Sequence, residues 1–197
     1  STNIENNIVH PDVVDAMFRQ VRENKTKPFK PHILKDRLII YASDYDFGRS
    51  GMAYHDTDSG NYWVSTQKRT PWNRGNQYRN DGVDIGICND TLTNGFSVGW
   101  TEPGEWLQYT VRLNTAGNYT VKFRTKSADT NTPGSIALYV DGKKAGNDLA
   151  FISNADNKSW NTTEIRNINL KAGENKLRIF IIKGGFEISY IDLVKQR

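Results

Sequence analysis

The chain has 197 residues, of which 37% are hydrophobic and 24% are charged, and this length fits one domain with a short appendage. Its 5 Trp, 9 Tyr and 8 Phe supply large apolar surfaces for a core, which excludes a wholly disordered chain. A net charge of +4 with interleaved signs excludes an extended nucleic-acid surface, no apolar run could span a membrane, and a single cysteine, Cys88, excludes an intrachain disulfide.

Residues 1–37 are predicted to form an N-terminal extension that contains a short amphipathic helix over residues 11–24. The stretch after the helix is rich in lysine and proline, which is typical of an extended linker. The chain also starts at Ser1 without a visible signal peptide. These features favour the tail of a preceding domain, and the alternative is a helix that docks on the main domain. The apolar face of the helix consists of Val14, Met17, Phe18 and Val21.

From residue 38 onward the apolar pattern alternates with period two, which predicts strands. Tyr119, Val121 and Phe123, for example, are separated by charged residues. Turn signals with glycine divide successive strands, and no helical pattern lies between them. We therefore predict an all-β fold, an antiparallel β-sandwich over residues 38–197.

The longest irregular stretch runs from residue 47 to about residue 80 and is rich in Gly, Asn, Asp and aromatic residues. A loop of this length in a compact domain is usually functional or disordered, and its aromatic content argues against disorder. Aromatic side chains on the end loops of a sandwich are typical of a recognition surface. The aromatic residues in question are Tyr54, Tyr62, Trp63, Trp72 and Tyr78.

Catalytic chemistry has little support in the sequence. Glu102 and Glu105 are candidates for the acid and nucleophile of a glycosidase, but they flank a Pro-Gly turn that fixes no carboxyl separation. His55 is the one histidine after residue 37, and no nucleophile motif accompanies it. We expect a protein that is not an enzyme by itself. Four acidic residues near glycines have two readings, cation ligands or turn caps: Asp56, Asp58, Asp81 and Asp84.

Six strings in order along the chain closely resemble a family 6 carbohydrate-binding module, over roughly residues 38–195. This family consists of non-catalytic β-jelly-roll modules that are appended to polysaccharide-degrading enzymes. The resemblance implies a jelly-roll sandwich with a ligand site in the loops at one end. The strings are AYHDTDSGN, YRNDGVDI, VGWTEPGEWLQYTV, AGNYTVKFR, LKAGENKLRI and GGFEISYIDL.

The resemblance also implies site residues, because two aromatic rings flank a sugar in this family. The two rings fall on Tyr78 and Trp160, and a polar residue that bonds sugar hydroxyls falls on Glu187. Two planar rings and a polar side chain suit a pyranose, whose faces are apolar and whose rim carries hydroxyls. The alternatives are a core ring for Trp160, a structural ring for Tyr78 and a solvated carboxylate for Glu187.

The sequence departs from the family pattern at the structural calcium site. The family's acidic ligands near the start of the module are replaced by Tyr41 and Ser43, whereas Asp192 occupies the C-terminal ligand position. Two lost carboxylates remove most of the charge that holds Ca²⁺. A structural calcium is therefore in doubt, with Asp192 as its remaining acidic ligand.

A second departure is the insertion YWVSTQKRTPWNRGNQ before Tyr78. It adds Trp63 and Trp72 as an extension of the sugar site, and its cations Lys68, Arg69 and Arg74 are expected to favour a sulfated or uronic polysaccharide. The competing interpretation is a loop whose tryptophans form a small satellite core.

The predicted function is a carbohydrate-binding module that targets an attached glycoside hydrolase or lyase to a polysaccharide. The expected partners are that polysaccharide and a catalytic domain of the same polypeptide, in a secreted, periplasmic or cell-surface setting. The rivals are a structural sandwich that packs on its catalytic domain without binding sugar, and a glycan-degrading enzyme in its own right.

Overall fold

The computed structural model describes residues 11–18, 24–57, 74–75, 77–79, 81–127, 133–151 and 159–197. Within these residues the chain forms one short α-helix, α1 (Pro11–Phe18), one 3₁₀ turn (Ala42–Asp44) and thirteen strands in two sheets, which confirms the predicted β-sandwich. No helix among the described residues is long and apolar enough to cross a membrane. The strands are β1 (Ile33–Leu34), β2 (Arg37–Tyr41), β3 (Tyr54–His55), β4 (Ile85–Ile87), β5 (Phe96–Val98), β6 (Trp106–Leu113), β7 (Gly117–Ser127), β8 (Ser135–Val140), β9 (Lys143–Lys144), β10 (Leu149–Ala150), β11 (Asn161–Leu170), β12 (Gly173–Lys183) and β13 (Phe186–Lys195).

The two sheets pack face to face. The first has the strand order β1-β6-β12-β8-β10, with β3 also paired to β6 and β9 to β8. The second has the order β11-β7-β13-β5-β4, with β2 also paired to β13. Neighbours in sequence frequently lie in opposite sheets, so the loops that join the sheets gather at the two ends of the sandwich.

Strand alternation decides which side chains enter the core. In β7, Tyr119, Val121 and Phe123 are fully buried between the sheets, whereas Lys122 and Arg124 point to the outer face of the second sheet. The alternating pattern in the sequence therefore predicted both the strand and its orientation. The largest fully buried side chains are Tyr45, Tyr109, Tyr119, Phe123, Phe186, Leu34, Ile40, Ile85, Ile136, Leu138, Ile168 and Leu170.

The sandwich begins earlier than the sequence suggested. The residues between 24 and 37 were expected to form a linker, but β1 pairs in parallel with β6 and the side chain of Leu34 is buried in the core. Prolines and lysines do prevent a helix here, yet an extended segment can still pair with a strand edge. The helix α1 lies within the predicted range 11–24, and residues 19–23 lie outside the described part of the chain. The division of the chain into an extension and a domain stays a prediction.

A buried arginine ties this N-terminal segment to the sandwich. The Arg79 guanidinium lies 3.6 Å from the ring centroid of Tyr45 and 4.8 Å from that of Phe29. It also pairs with Asp81 at 2.7 Å. Phe29 in turn packs against Phe47, with their centroids 4.9 Å apart. These contacts fix the segment that leads into β1.

Substitution of Leu34 tests whether this segment belongs to the folded unit. Leu34 is 1% exposed, and Leu34→Ala is expected to lower the free energy of unfolding by about 2–5 kcal/mol, because it leaves a cavity in the core. Ile33 is its neighbour in the same two-residue strand and is 54% exposed, so Ile33→Ala should cost less than about 1 kcal/mol. Urea unfolding followed by tryptophan fluorescence compares them, and equally small losses would mean that the segment does not belong to the core.

Candidate functional site

An ion pair lies on the outer face of the second sheet, at the end where β13 begins. The register places Glu187 of β13 directly opposite Lys126 of β7, and Lys126 Nζ lies 2.8 Å from Glu187 Oε1. The second carboxylate oxygen accepts a hydrogen bond of 2.9 Å from the hydroxyl of Ser97 in β5. Gly99 leaves room for this carboxylate, since a Cβ on Gly99 would lie 3.3 Å from Glu187 Cγ. The side chain of Glu187 is thus held from both sides.

Trp160 stands beside this pair, at the start of β11. Its indole ring lies 5.1 Å from Lys126 Nζ, within reach of a cation–π interaction. The indole N–H donates to Asn89 Oδ1 at 3.2 Å, which orients the ring. Trp160 is half-buried and is not among the core residues. The structure therefore brings two sequence-predicted site residues, Trp160 and Glu187, to one surface.

A second tryptophan, Trp100, lies on the same face and was not singled out from the sequence. Its ring passes close over Gly86, where a Cβ would lie 3.2 Å from Trp100 Cζ3, and Gly86 pairs with Ser97. Cross-strand partners share a face of the sheet, so Trp100 lies on the side of Glu187. The Trp100 side chain is 48% exposed.

The backbone of Trp100 is strained and firmly held. Its φ of 48° is left-handed, a conformation that costs a bulky residue about 1–3 kcal/mol. The next residue fixes the loop, because the Thr101 hydroxyl donates to Phe186 O at 2.8 Å and Thr101 O accepts from Gly185 N at 2.9 Å. The string VGWTEPGEWLQYTV contains Trp100, but a positive φ cannot be inferred from it.

Tyr78 lies on the opposite face of this sheet. Its ring centroid is 4.7 Å from that of Phe96, which packs against the core, and its hydroxyl donates to Asp44 at 2.7 Å. Phe96 and Ser97 are successive strand residues and so point to opposite faces. The resemblance implied one site for Tyr78, Trp160 and Glu187, but the structure places Tyr78 away from the surface that the other two share. The part of Tyr78 in sugar binding stays a prediction.

Two arginines of the described residues, Arg124 and Arg74, are paired with carboxylates. Arg124 lies two residues before Lys126 on the same face of β7, and it donates to both carboxylate oxygens of Asp90 at 2.8 and 2.9 Å. Burial alone would raise the pKa of Asp90, but hydrogen bonds from Arg124 and from the backbone N–H of Thr91 lower it overall, so this carboxylate stays charged. The inserted segment contributes Arg74, which lies 3.6 Å from a carboxylate oxygen of Glu102.

The two glutamates considered for catalysis stabilise a turn. Glu105 Oε2 accepts from the backbone N–H of Glu102 at 2.8 Å, and Glu105 Oε1 accepts from the Thr57 hydroxyl at 3.0 Å. The Thr57 hydroxyl also lies 2.8 Å from Glu102 Oε2. Burial raises the pKa of Glu105. These contacts give both carboxylates a role in holding the loop that leads from Trp100 into β6.

Asp192, the predicted calcium ligand, is engaged by an arginine. Arg37 donates two hydrogen bonds of 2.9 Å to the two oxygens of this buried carboxylate. Within the described residues, no group of three or more His, Cys, Asp or Glu side chains is arranged to hold a metal ion. The residues that are present around Asp192 thus fit an ion pair rather than a calcium cage. Trp63 and Trp72 lie outside the described residues.

A cleft at the opposite end of the sandwich lacks aromatic rings among its described lining residues. Its volume is about 580 Å³, and its described lining includes Lys143, Lys144 and Asn167. A sugar face stacks on an aromatic plane, so this cleft lacks the feature that the surface of Trp160 and Trp100 provides.

Comparison with known proteins agrees with this fold. The model of the carbohydrate binding module family 6 matches residues 74–195, which is more than half of the chain. The match starts later than the resemblance suggested, and the string AYHDTDSGN lies outside it. No curated protein matches the chain.

Solved structures of such modules share the architecture. The C-terminal module of a marine laminarinase from Zobellia galactanivorans has 21% identity and a TM-score of 0.55, over 81% of this chain and 99% of that one. A module of Cellvibrio mixtus lichenase 5A in complex with cellotriose has 26% identity and a TM-score of 0.51, over 59% and 88%. A Clostridium stercorarium module in complex with cellobiose has 13% identity and a TM-score of 0.53, over 85% and 98%.

Substitution of Asp192 separates an ion pair from a calcium site. Asp192→Asn is expected to lower the free energy of unfolding by about 1–3 kcal/mol, because it removes charged hydrogen bonds from Arg37, and by the same amount in excess calcium and in chelator. Asp148→Asn is the matched control, since Asp148 is exposed and pairs with Lys144 on the surface. Thermal unfolding in both buffers measures the loss, and a loss confined to the calcium buffer would contradict the ion-pair assignment.

Proposed function

Because this chain belongs to family 6 of the carbohydrate-binding modules, we propose that it binds a saccharide on the outer face of its second sheet, against Trp160 and Trp100. The sugar hydroxyls hydrogen-bond to the ion pair of Lys126 and Glu187. The module itself performs no chemistry.

The observation that carries this proposal is the spatial order of side chains across the outer face of the second sheet. Two partly or largely exposed indoles, Trp160 and Trp100, lie to either side of a polar pair that is fixed by Ser97. Apolar sugar faces pack on indole rings, while the hydroxyl rim needs donors and acceptors. Lys126 donates and Glu187 accepts, so both requirements are met on the same surface. A related module has been solved with cellotriose bound.

The biological use of such binding is targeting. A module joined to a glycoside hydrolase or lyase raises the effective concentration of that enzyme at its polysaccharide, so weak binding at one site is sufficient. This use places the protein where polysaccharides occur, in a secreted, periplasmic or cell-surface setting. The rival, a sandwich that only packs on its catalytic domain, predicts no saccharide binding.

Affinity electrophoresis against laminarin, lichenan and xylan tests the proposal. Migration of the intact chain is expected to be retarded by at least one of these polysaccharides, and Trp160→Ala and Trp100→Ala should each weaken the interaction about tenfold or more, because each removes a stacking plane. Circular dichroism confirms that the variants are folded.

A matched variant identifies the alternative surface. Tyr139 lies on the outer face of the first sheet, near Phe180, and Tyr139→Ala should leave the retardation unchanged. Retardation that survives both tryptophan substitutions and is lost in Tyr139→Ala would move the site to the first sheet. No retardation by any polysaccharide would favour the structural rival.

A further inference from the structure

We infer that Lys126 contacts the ligand and, together with Glu187, sets the specificity of the site for uncharged over sulfated or uronic sugars. This inference rests on the proposed function, because it concerns the same surface. It assigns a role to a residue that neither the sequence pattern nor the family resemblance singled out.

The position of Lys126 is fixed from three directions. Its strand pairs with β13 on one side and with β11 on the other, so its side chain emerges between Glu187 and Trp160. The ammonium is 2.8 Å from the carboxylate and 5.1 Å from the indole centroid. A lysine on an open strand surface is normally mobile, but this one is 18% exposed and has a partner on each side.

The pair retains unused hydrogen-bonding capacity. An ammonium has three N–H donors, and one of them serves Glu187. A carboxylate has about four acceptor positions, and two of them serve Lys126 and Ser97. A donor and an acceptor therefore remain side by side on the surface, and neighbouring sugar hydroxyls can use both. Glu187 alone would offer acceptors and no donor.

The same arrangement disfavours an anionic ligand. The positive charge of Lys126 is neutralised by Glu187, whose side chain is 26% exposed and would face a sulfate or carboxylate bound to the ammonium. Arg124 on the same strand is neutralised by Asp90 in the same way. An anion bound at Lys126 or Arg124 would therefore meet the like charge of Glu187 or Asp90, which is a recognised source of discrimination between ligands.

A preference for uncharged sugars is the opposite of what the cations of the insertion led us to expect, which was a preference for sulfated or uronic polysaccharide. Of those cations, Arg74 lies 3.6 Å from Glu102 and 3.7 Å from Asp84, so its charge is also compensated. Lys68 and Arg69 lie outside the described residues, and the inference does not depend on them.

Affinity electrophoresis with paired ligands tests the inference. Laminarin, lichenan and xylan are each used unmodified and after chemical sulfation, so that the two members of a pair share a backbone. The chain is expected to bind the unmodified form at least about tenfold more tightly than the sulfated one. Glu187→Gln removes the negative charge that neutralises Lys126. It should therefore raise the affinity for the sulfated form by about tenfold or more, and high salt should abolish this gain. Lys126→Met should weaken binding of the unmodified form about tenfold.

Matched variants control for surface charge in general. Lys122→Met changes a lysine on the same face of the same strand, and Glu174→Gln changes a glutamate on the first sheet. Both variants should bind the unmodified and the sulfated polysaccharides with the same affinities as the protein without substitutions. Two results would overturn the inference while leaving the proposed function standing. One is that the protein without substitutions binds the sulfated polysaccharide as tightly as the unmodified one, or more tightly. The other is that Lys126→Met binds the unmodified polysaccharide with unchanged affinity. Absence of binding to every unmodified and sulfated polysaccharide would overturn both.

Discussion

Opposite charges face each other where β7 and β13 run side by side, and the proposed site depends on this register. Strand alternation buries Phe186 and Ile188 in the core, which forces the residue between them, Glu187, to the outer face. The ladder then sets Glu187 opposite Lys126. A slip of β13 by one residue would turn Glu187 into the core and Phe186 and Ile188 out of it, so the packing of the sandwich and the geometry of the site are specified by the same constraint. The indole rings of Trp160 and Trp100 lie to either side of this pair.

The N-terminal segment shows how the rest of the molecule supports that constraint. β1 covers part of the edge of β6, and the buried Arg79 joins Phe29 and Tyr45 across the loop that precedes β4. Tyr78 belongs to this cluster through its contacts with Phe29 and Asp44. These contacts hold β4 and β5, and those strands carry Gly86 and Ser97 to the site. The site is therefore built on strands and supported by a segment whose composition resembles that of a linker.

The sequence predicted the fold well because alternation is a local property. Tyr119, Val121 and Phe123 could be assigned to the core from their spacing alone, and Trp160 and Glu187 could be assigned to one surface from the family pattern. Tyr78 could not be placed, because its position depends on a long irregular segment and on which face of β5 that segment meets. Trp100 went unnoticed because the sequence pattern shows neither its left-handed backbone nor the position of its ring over Gly86. Residues 33–34 were assigned to a linker because lysines and prolines surround them, and their pairing with β6 is a long-range contact that local composition does not show.

The central claim is that a saccharide binds the outer face of the second sheet. Titration of the ¹⁵N-labelled chain with laminari-, cello- and xylo-oligosaccharides, followed by two-dimensional NMR, tests it most directly. We predict that one series shifts the indole N–H signals of Trp160 and Trp100 and the backbone amide of Glu187. Shifts confined to Trp106 and its neighbours on the first sheet, or no shifts with any series, would contradict the account.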